Sequence, residues 1–186
     1  MEEKVNSCCF TGYRPSKFPF LLDGKNRAYI DFENKLTETV FSLAENGCNT
    51  FYSGMAMGFD IIAAETVLLA KRAFKKVPIK LICAVPFIEQ SNSFADDWKK
   101  RYSGILKKAD NVILISDSYF KGCYQKRNEF MVDNCGTVVT WFDGKSGGTK
   151  NTLAYAQNKD RKIININEAE KEVKYEYYYE VIDEDE

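Results

Sequence analysis

The sequence predicts a single-domain α/β fold with a doubly wound, mainly parallel sheet of five or six strands and helices on both faces. Strand-like and helix-like segments alternate along the chain, as they do in right-handed βαβ crossovers. The runs "LICAV" and "VILI" are continuously apolar, which is typical of strands buried on both faces. The 186 residues suit one domain, predicted over 1–168 and followed by an acidic, tyrosine-rich tail over 169–186.

The first predicted elements are two strands and two helices. "KVNSCCF" (4–10) is a strand that ends at the turn-like "TGYRP". A helical pattern covers 26–46 and stops at the "NG" that follows it. "NTFYS" (49–53) is the second strand, and the second helix covers 59–76 after a glycine-containing turn.

The middle of the chain repeats this order. "IKLICAV" (79–85) is the third strand and is closed by Pro86. The third helix covers 96–108, and its two leading aspartates suit a helix N-terminus because they oppose the positive end of the helix dipole. "NVILI" (111–115) is the fourth strand.

The last third holds the remaining elements. A fourth helix is predicted over 123–134, and "TVVTWF" (137–142) is the fifth strand. "DGKSGGT" leads into a fifth helix over 150–159, and "KIININ" (162–167) is a short last strand.

Composition excludes several kinds of chemistry. The chain has no histidine, so Ser-His-Asp and Cys-His catalysis and histidine-ligated zinc are excluded, and no metal site is predicted. Its six cysteines form no C-x-x-C pair and are expected to be reduced and mostly buried. The N-terminus does not resemble a signal peptide, and no apolar run reaches the roughly 20 residues that span a bilayer. We therefore expect a cytoplasmic protein without a membrane partner.

Charge is unevenly distributed along the chain. The net charge is −1, and six of the 27 acids lie in 176–186, so over residues 1–175 the 26 basic residues outnumber the 21 acids by 5. The isoelectric point of 5.7 offers no strongly basic surface, so nucleic acid is expected to be an unlikely partner. A small nucleotide-type ligand is the expected partner, and a protein partner is an alternative.

The residues that follow the predicted strands are mostly small or polar. In parallel sheets the carboxyl ends of the strands lie along one edge, where ligands bind. Reading those ends in order gives Thr11-Gly12, Ser53-Gly54, Pro86-Phe87, Ser116-Asp117 and Asp143-Gly144. At such an edge the main chain can contact a ligand directly, because most of the side chains are small or polar.

"SGMAMGFD" is the first glycine turn at this edge. Gly54 permits backbone angles closed to other residues, and Gly58 opens the next helix without a side chain. The amides of about 54–58 have no intrahelical partners and, with the helix dipole, form a potential phosphate site. The alternative is a tight turn with a packing glycine. Asp60 is negative and close by, so we expect it to cap the helix or bind a ribose hydroxyl.

"DGKSGGTKNT" is a second glycine turn after the fifth strand. It is not a Walker A loop, because Val139 stands where the first glycine of that motif would be. What remains is Gly147, Gly148 and Thr149 at a helix start, which is a second potential nest of amides. A flexible loop is the alternative.

Two further segments offer side chains for a phosphate or a base. Arg14 in "TGYRP" can hold a phosphate with two parallel bonds, and Tyr13 could stack on a base. "CYQKRNEFMVD" places four residues on one helical face: Tyr124, Arg127, Asn128 and Met131. The alternatives are an ordinary surface arginine at 14, and a helix whose core stripe runs through Cys123 and Phe130.

The chain resembles the YpsA-like family, a domain of unknown function in the SLOG superfamily. The similar segments, in order, are "CCFTGYRP", "FYSGMAMGFDIIAAE", "AVPF", the spaced "W…RY", "CYQKRNEFMVD" and "DGKSGGT…YA", over about residues 5–167. The superfamily groups DNA-processing protein A with the Lonely Guy enzymes and implies a Rossmann-like, dimeric, nucleotide-binding protein. The resemblance assigns ligand contacts to Gly54, Met55 and Gly58 in the first motif and to Gly147, Gly148 and Thr149 in the second.

The favoured hypothesis is binding or sensing of an ADP-ribose-like or NAD-like ligand in a regulatory role, without catalysis. Arg14 and Arg127 would add charge, and Tyr13, Phe87 or Tyr124 would pack the base. The alternative is a nucleotide N-glycosidase that uses Asp60, Glu65 or Glu89 as acid or base. Lonely Guy enzymes end their second motif in a catalytic glutamate, but "SGGTKNTLAYA" has no acid before Asp160.

Overall fold

The computed structural model describes residues 6–167 of the chain. The tail predicted over 169–186 lies outside the described residues. Six strands form one all-parallel sheet, which confirms the α/β fold class predicted from the alternating pattern. The strands are β1 Ser7–Gly12, β2 Thr50–Ser53, β3 Lys80–Val85, β4 Asn111–Leu114, β5 Thr137–Trp141 and β6 Lys162–Asn165.

Five α-helices connect the strands. They are α1 Arg27–Glu45, α2 Phe59–Ala73, α3 Asp96–Leu106, α4 Cys123–Asp133 and α5 Gly148–Asn158. α2 packs against α1 and α3, whereas α4 packs against α5. Right-handed crossovers place the first three helices on one face of the sheet and the last two on the other. Short 3-10 turns at Pro15–Lys17 and Gln90–Ser93 complete the connections after β1 and β3.

The strand order β4-β3-β2-β1-β5-β6 places the topological switch point between β1 and β5. The chain moves outward from β1 to β4 and then returns to the other side of β1. Gly12 at the end of β1 is paired with Trp141 at the end of β5, so the loops that follow these strands start side by side. In doubly wound sheets this crevice is where ligands bind.

β1 lies at the centre of the sheet, and its residues form the middle of the core. Cys8, Cys9 and Phe10 are fully buried, and the Phe10 ring stacks on Phe51 of β2. All six cysteines are free and buried, as predicted. Burial raises the pKa of the Cys8 thiol well above its usual value, so the thiol stays protonated at neutral pH.

β4 differs from its prediction. The run "VILI" was expected to be buried on both faces, but Val112 is 45% and Leu114 is 42% exposed. The reason is topological, because β4 ends the sheet and pairs only with β3. A continuous apolar run cannot distinguish an edge strand from a central one.

The observed boundaries of some strands and helices differ slightly from the predicted ones. β1 continues two residues beyond its prediction, because Thr11 and Gly12 still pair with β5. α5 begins at Gly148, two residues before its predicted start, so the glycine turn itself forms the first turn of the helix. Within residues 6–167 no helix combines the length and the apolar character needed to cross a membrane.

Candidate functional site

The first glycine loop, residues 53–58 between β2 and α2, is held by its own hydrogen bonds. Ser53 Oγ donates to the Asp60 carbonyl at 2.8 Å and accepts from the Met55 amide at 3.2 Å. The Asp60 carboxylate accepts from the Ala56 amide at 3.4 Å. Two of the amides expected to face a phosphate are therefore bonded within the loop. The Asp60 carboxylate therefore stabilises the loop before α2 and does not cap the helix, whose start has no side-chain cap; contact between Asp60 and a ribose hydroxyl stays a prediction.

Gly54 is a glycine because a guanidinium lies against it. The Arg127 guanidinium donates to the Gly54 carbonyl, and a Cβ at Gly54 would stand 2.8 Å from Arg127 Nε and closer still to the rest of the group. Gln90, 1% exposed, donates to the same carbonyl from its Nε2 at 3.2 Å. This contact between protein groups accounts for the glycine without a ligand.

Arg127 and Asp60 form a buried pair beneath this loop. Arg127 Nη1 lies 3.9 Å from Asp60 Oδ2, and both side chains are at least nine-tenths buried. Burial raises the pKa of Asp60, and the positive charges of Arg127 and Arg14 oppose that rise. The buried residues of α4 are Cys123, Arg127, Met131 and Val132, so the alternative core stripe through Cys123 and Phe130 is confirmed at Cys123 alone. Phe130 is only partly buried.

The other glycines of the first motif serve packing between elements. Gly58 has a φ of 91°, and a Cβ there would collide with the Tyr13 carbonyl, which also accepts from the Phe59 amide at 3.1 Å. A Cβ at Gly12 would lie 2.6 Å from Phe59 Cβ. Met55 is fully buried with a φ of 58°, a conformation that costs a non-glycine residue free energy.

The second glycine loop, residues 143–149, is more open. Gly147 has a φ of 136°, and α5 begins there without a side-chain cap. Gly144, Gly148 and Ser146 are exposed, and Thr149 is half-buried. Lys17 Nζ donates to the Ser146 carbonyl at 3.5 Å, and a Cβ at Gly147 would stand 2.7 Å from the same ammonium. A helix N-terminus, exposed glycines and a lysine ammonium therefore meet at the switch point.

The loop after β1 is tied to this second loop through Tyr13. Its hydroxyl donates to Asp143, and its ring packs against Trp141, Phe18 and Phe142. Burial and then the contact with Asp143 raise the pKa of Tyr13 to about 12. The expectation that Tyr13 stacks on a base is wrong, because its ring is enclosed in the core and is only 3% exposed.

Asn128 connects the two glycine loops. Its Oδ1 accepts from Arg127 Nε at 2.7 Å, and its Nδ2 donates to Thr152 Oγ1 at 2.9 Å. Thr152 in turn donates to the Gly148 carbonyl at 2.8 Å. Asn128 therefore fixes the position of the α5 N-terminus relative to α4.

Arg14, Phe87 and Tyr124 come together, as predicted for residues of this edge. The Arg14 guanidinium carbon lies 5.6 Å from the centre of the Tyr124 ring, and the Phe87 and Tyr124 ring centres are 5.7 Å apart. Pro86 and Phe87 are buried at the end of β3, and Thr11 is buried near the end of β1. These residues stay predictions as ligand contacts.

The three acids proposed for glycosidic chemistry have different surroundings. Asp60 is buried under the first glycine loop, whereas both oxygens of Glu65 accept from Arg101 at 2.9 and 2.6 Å. Glu89 is exposed in the connection between β3 and α3. Among the residues that the structure covers, no group of three or more His, Cys, Asp and Glu side chains could hold a metal ion.

Sequence reasoning missed three residues of this region. Gln90 stands in a polar segment without a periodic signal, and Lys17 reaches Ser146 across 129 positions of sequence. Tyr119 lies in the loop before α4 and joins the Phe87 and Tyr124 rings. No short motif indicates such contacts, because they depend on which strands are neighbours.

The chain matches a known family along most of its length. The family model described as the YspA SLOG family matches residues 8–177. An uncharacterized SPbeta prophage-derived protein, YoqJ of Bacillus subtilis strain 168, is 31% identical over 146 residues, covering 72% of this chain and 84% of that protein. A UPF0398 protein of Halalkalibacterium halodurans is 25% identical over 154 residues, covering 81% and 80%.

Two solved structures share the fold. DNA processing protein A from Helicobacter pylori, described with a single-stranded DNA binding mode, matches with a TM-score of 0.58 at 17% identity over 87% of this chain and 65% of that chain. DNA processing protein A from Streptococcus pneumoniae matches with a TM-score of 0.60 at 17% identity over 86% and 50%.

The likeness corrects one expectation. Nucleic acid was expected to be an unlikely partner, and that prediction is wrong because a protein of the same fold binds single-stranded DNA. The overall charge gave no reason to expect this. Dimerisation, which the superfamily implies, stays a prediction.

Proposed function

The chain belongs to the YpsA family of SLOG proteins, and from this premise we propose that it binds a phosphate-bearing, nucleotide-type ligand at the carboxyl edge of its sheet. ADP-ribose-like and NAD-like molecules are in the proposed class. Binding would serve sensing or regulation.

The observation that carries this proposal is the contrast between the two glycine loops. In the first loop the Met55 and Ala56 amides are bonded to Ser53 and Asp60, and the loop is largely buried. The second loop has an uncapped helix start, exposed glycines and the Lys17 ammonium. The first amides of a helix attract anions through their unpaired N–H groups and the helix dipole. We therefore assign the phosphate to the second loop.

The first glycine loop has a supporting role in this proposal. Arg127 holds the Gly54 carbonyl, and the neighbouring Asn128 holds Thr152 in the first turns of α5. A change at the first loop would reach the phosphate site through α4. Both glycine motifs then matter for binding, although only the second one contacts the phosphate.

A thermal-shift screen with AMP, NAD, ADP-ribose and ribose 5-phosphate tests the proposal. A ligand at 100 times its dissociation constant stabilises the native state by about 2.7 kcal/mol, which raises the melting temperature by several degrees. Gly148→Val should remove the shift, because the added side chain blocks the helix amides. Gly104→Val is the matched control, since a Cβ at either glycine meets no atom within 4 Å. The absence of a shift with every compound would refute the proposal.

Single-stranded DNA is a second candidate ligand. It is favoured by the likeness to DNA processing protein A, whose Helicobacter pylori member is described with a single-stranded DNA binding mode. Lys17 lies beside the second glycine loop and Lys145 lies within it, and both could contact a phosphate backbone. Fluorescence anisotropy with a labelled oligonucleotide at several salt concentrations tests this, because log K for single strands falls with log salt at about 0.7 per phosphate neutralised.

Hydrolysis of a glycosidic bond is not favoured by the geometry. The Asp60 carboxylate accepts from the Ala56 amide of the first glycine loop, and Glu65 accepts two hydrogen bonds from Arg101. Release of free base from AMP or NAD during long incubation would revive that alternative.

A further inference from the structure

We propose that Phe87, Tyr119 and Tyr124 form a nucleobase-stacking site, with the Arg14 guanidinium beside it. These three rings are called the aromatic cluster below. The inference rests on the proposed function and assigns the nucleobase of its ligand to these three rings, a contact that a simple sugar phosphate cannot make.

The aromatic cluster combines a buried ring, Phe87, with an exposed ring, Tyr119. Phe87 is buried at the end of β3 and meets Tyr119 at 5.4 Å and 82°, and Tyr124 at 5.7 Å and 74°. Tyr119 and Tyr124 are 6.5 Å apart at 60°. Edge-to-face contacts of this kind hold the rings in fixed relative orientations. Tyr119 is 62% exposed, although two aromatic partners touch it.

A cation lies against the same rings. The Arg14 guanidinium carbon stands 5.6 Å from the centre of the Tyr124 ring, and Arg14 is half-buried. A guanidinium is planar, stacks on π systems and donates several hydrogen bonds. A base edge presents acceptors to such donors, so the aromatic cluster and Arg14 together offer both stacking and hydrogen bonding. A site for a purely aliphatic group would not need the cation.

Two connections join the aromatic cluster to the proposed phosphate site. Tyr124 is one helical turn before Asn128, and Asn128 bonds Thr152, which bonds the Gly148 carbonyl. On the other side, Arg14 is three residues before Lys17, whose ammonium lies against the second glycine loop. The first connection runs along α4 and through two side-chain hydrogen bonds, and the second runs along three residues of chain and one hydrogen bond. In this arrangement a bound nucleotide would place its base on the aromatic cluster and its phosphate at the start of α5.

The test is isothermal titration calorimetry with AMP, ribose 5-phosphate and a 5′-phosphorylated oligothymidylate of eight nucleotides. Ribose 5-phosphate keeps the phosphate and lacks the base. The variants are Tyr119→Ala, Tyr119→Phe as the ring-preserving control, and Leu21→Ala as a control for removing another exposed apolar side chain. Because Tyr119 is mostly exposed, the alanine variant is expected to fold.

Wild type should bind AMP more tightly than ribose 5-phosphate, and Tyr119→Ala should reduce that ratio about tenfold, since base stacking on one ring is worth about that factor or more. Tyr119→Phe and Leu21→Ala should keep the ratio. If Tyr119→Ala weakens binding of the oligothymidylate by a similar factor, the site accepts a base that is part of a DNA strand. If the variant weakens binding of AMP alone, the site accepts the base of a free nucleotide.

Two results would overturn the inference. If Tyr119→Ala keeps the wild-type ratio of AMP to ribose 5-phosphate affinity, the cluster is not a base site, while the proposed phosphate site stands because both compounds still bind. If wild type binds none of the three probes, the proposed function fails as well.

Discussion

Gly54 is a position where one added methyl group would meet a buried charge. Its Cβ would overlap the Arg127 guanidinium, which is buried and paired with Asp60. Displacing a buried charge from its partners costs several kcal/mol, so we expect Gly54→Ala to lower the free energy of unfolding by about 3 kcal/mol. Urea denaturation followed by circular dichroism measures the loss.

Gly104→Ala is the control for this substitution. Gly104 lies within α3, where a Cβ meets nothing within 4 Å, so alanine should raise stability by up to about 1 kcal/mol. Equal effects of the two substitutions would mean that Arg127 does not occupy the space beside Gly54.

Asp143 makes the free energy of unfolding depend on pH in the acidic range. Burial acts to raise its pKa, but hydrogen bonds from Lys145 and Tyr13 outweigh it, so the pKa of Asp143 in the folded protein is lower than in the unfolded chain. The contribution is therefore fully present above the unfolded-state pKa of about 3.9 and is lost as the pH falls through the lower folded value.

Asp143→Asn should lower the free energy of unfolding by about 1–2 kcal/mol at pH 7 and by progressively less below about pH 4. Denaturation curves at several pH values measure this difference. Asp117→Asn, which removes an exposed carboxylate from the loop after β4, is the control. A constant difference between pH 7 and pH 3 would show that folding does not lower the pKa of Asp143.

At the scale of elements, β4 is an edge strand despite its apolar sequence. Leu114 is 42% exposed, whereas Leu81 in β3 is fully buried. We expect Leu114→Lys to change the free energy of unfolding by less than about 1 kcal/mol, and Leu81→Ala to cost about 2–5 kcal/mol. Chemical denaturation of both variants decides the point. A cost for Leu114→Lys as large as that for Leu81→Ala would place β4 inside the sheet.

α4 shows why a helix could be predicted while its role could not. The sequence indicated a face with Tyr124, Arg127 and Asn128, and the structure uses these residues in three ways. Tyr124 joins the aromatic cluster, Arg127 enters the core beneath the first glycine loop, and Asn128 bonds α5. An arginine in a core stripe contradicts ordinary amphipathic patterning. Only the pairing with Asp60 and the Gly54 carbonyl explains it.

At the scale of the whole molecule, the alternating pattern was sufficient for the fold class. Strand and helix periods and turn residues predicted all eleven strands and α-helices of residues 6–167, with boundaries displaced by up to three residues, but neither 3-10 turn. Strand order was not available from these local signals, because it depends on which strands pair across the sheet. Order determines that β4 is an edge and that the loops after β1 and β5 meet.

The candidate site was predicted in part for the same reason. The rule that strand ends converge put Phe87 and the segment of Arg14 at one edge, and the helical face of α4 added Tyr124; the structure brings these three side chains together. It could not distinguish a glycine that makes room for a ligand from one that makes room for a guanidinium, since both leave "SG" after a strand. Gly54 belongs to the second kind.

The central claim is that a phosphate binds at the second glycine loop and leaves the amides of the first loop bonded as they are. A ¹⁵N–¹H correlation spectrum of the labelled protein, recorded while AMP is added, tests this directly. The account predicts that the amides of Gly148, Thr149 and Lys150 shift in a saturable manner, with little change at Met55 and Ala56. Saturable shifts at Met55 and Ala56, with the amides at the start of α5 unmoved, would contradict it.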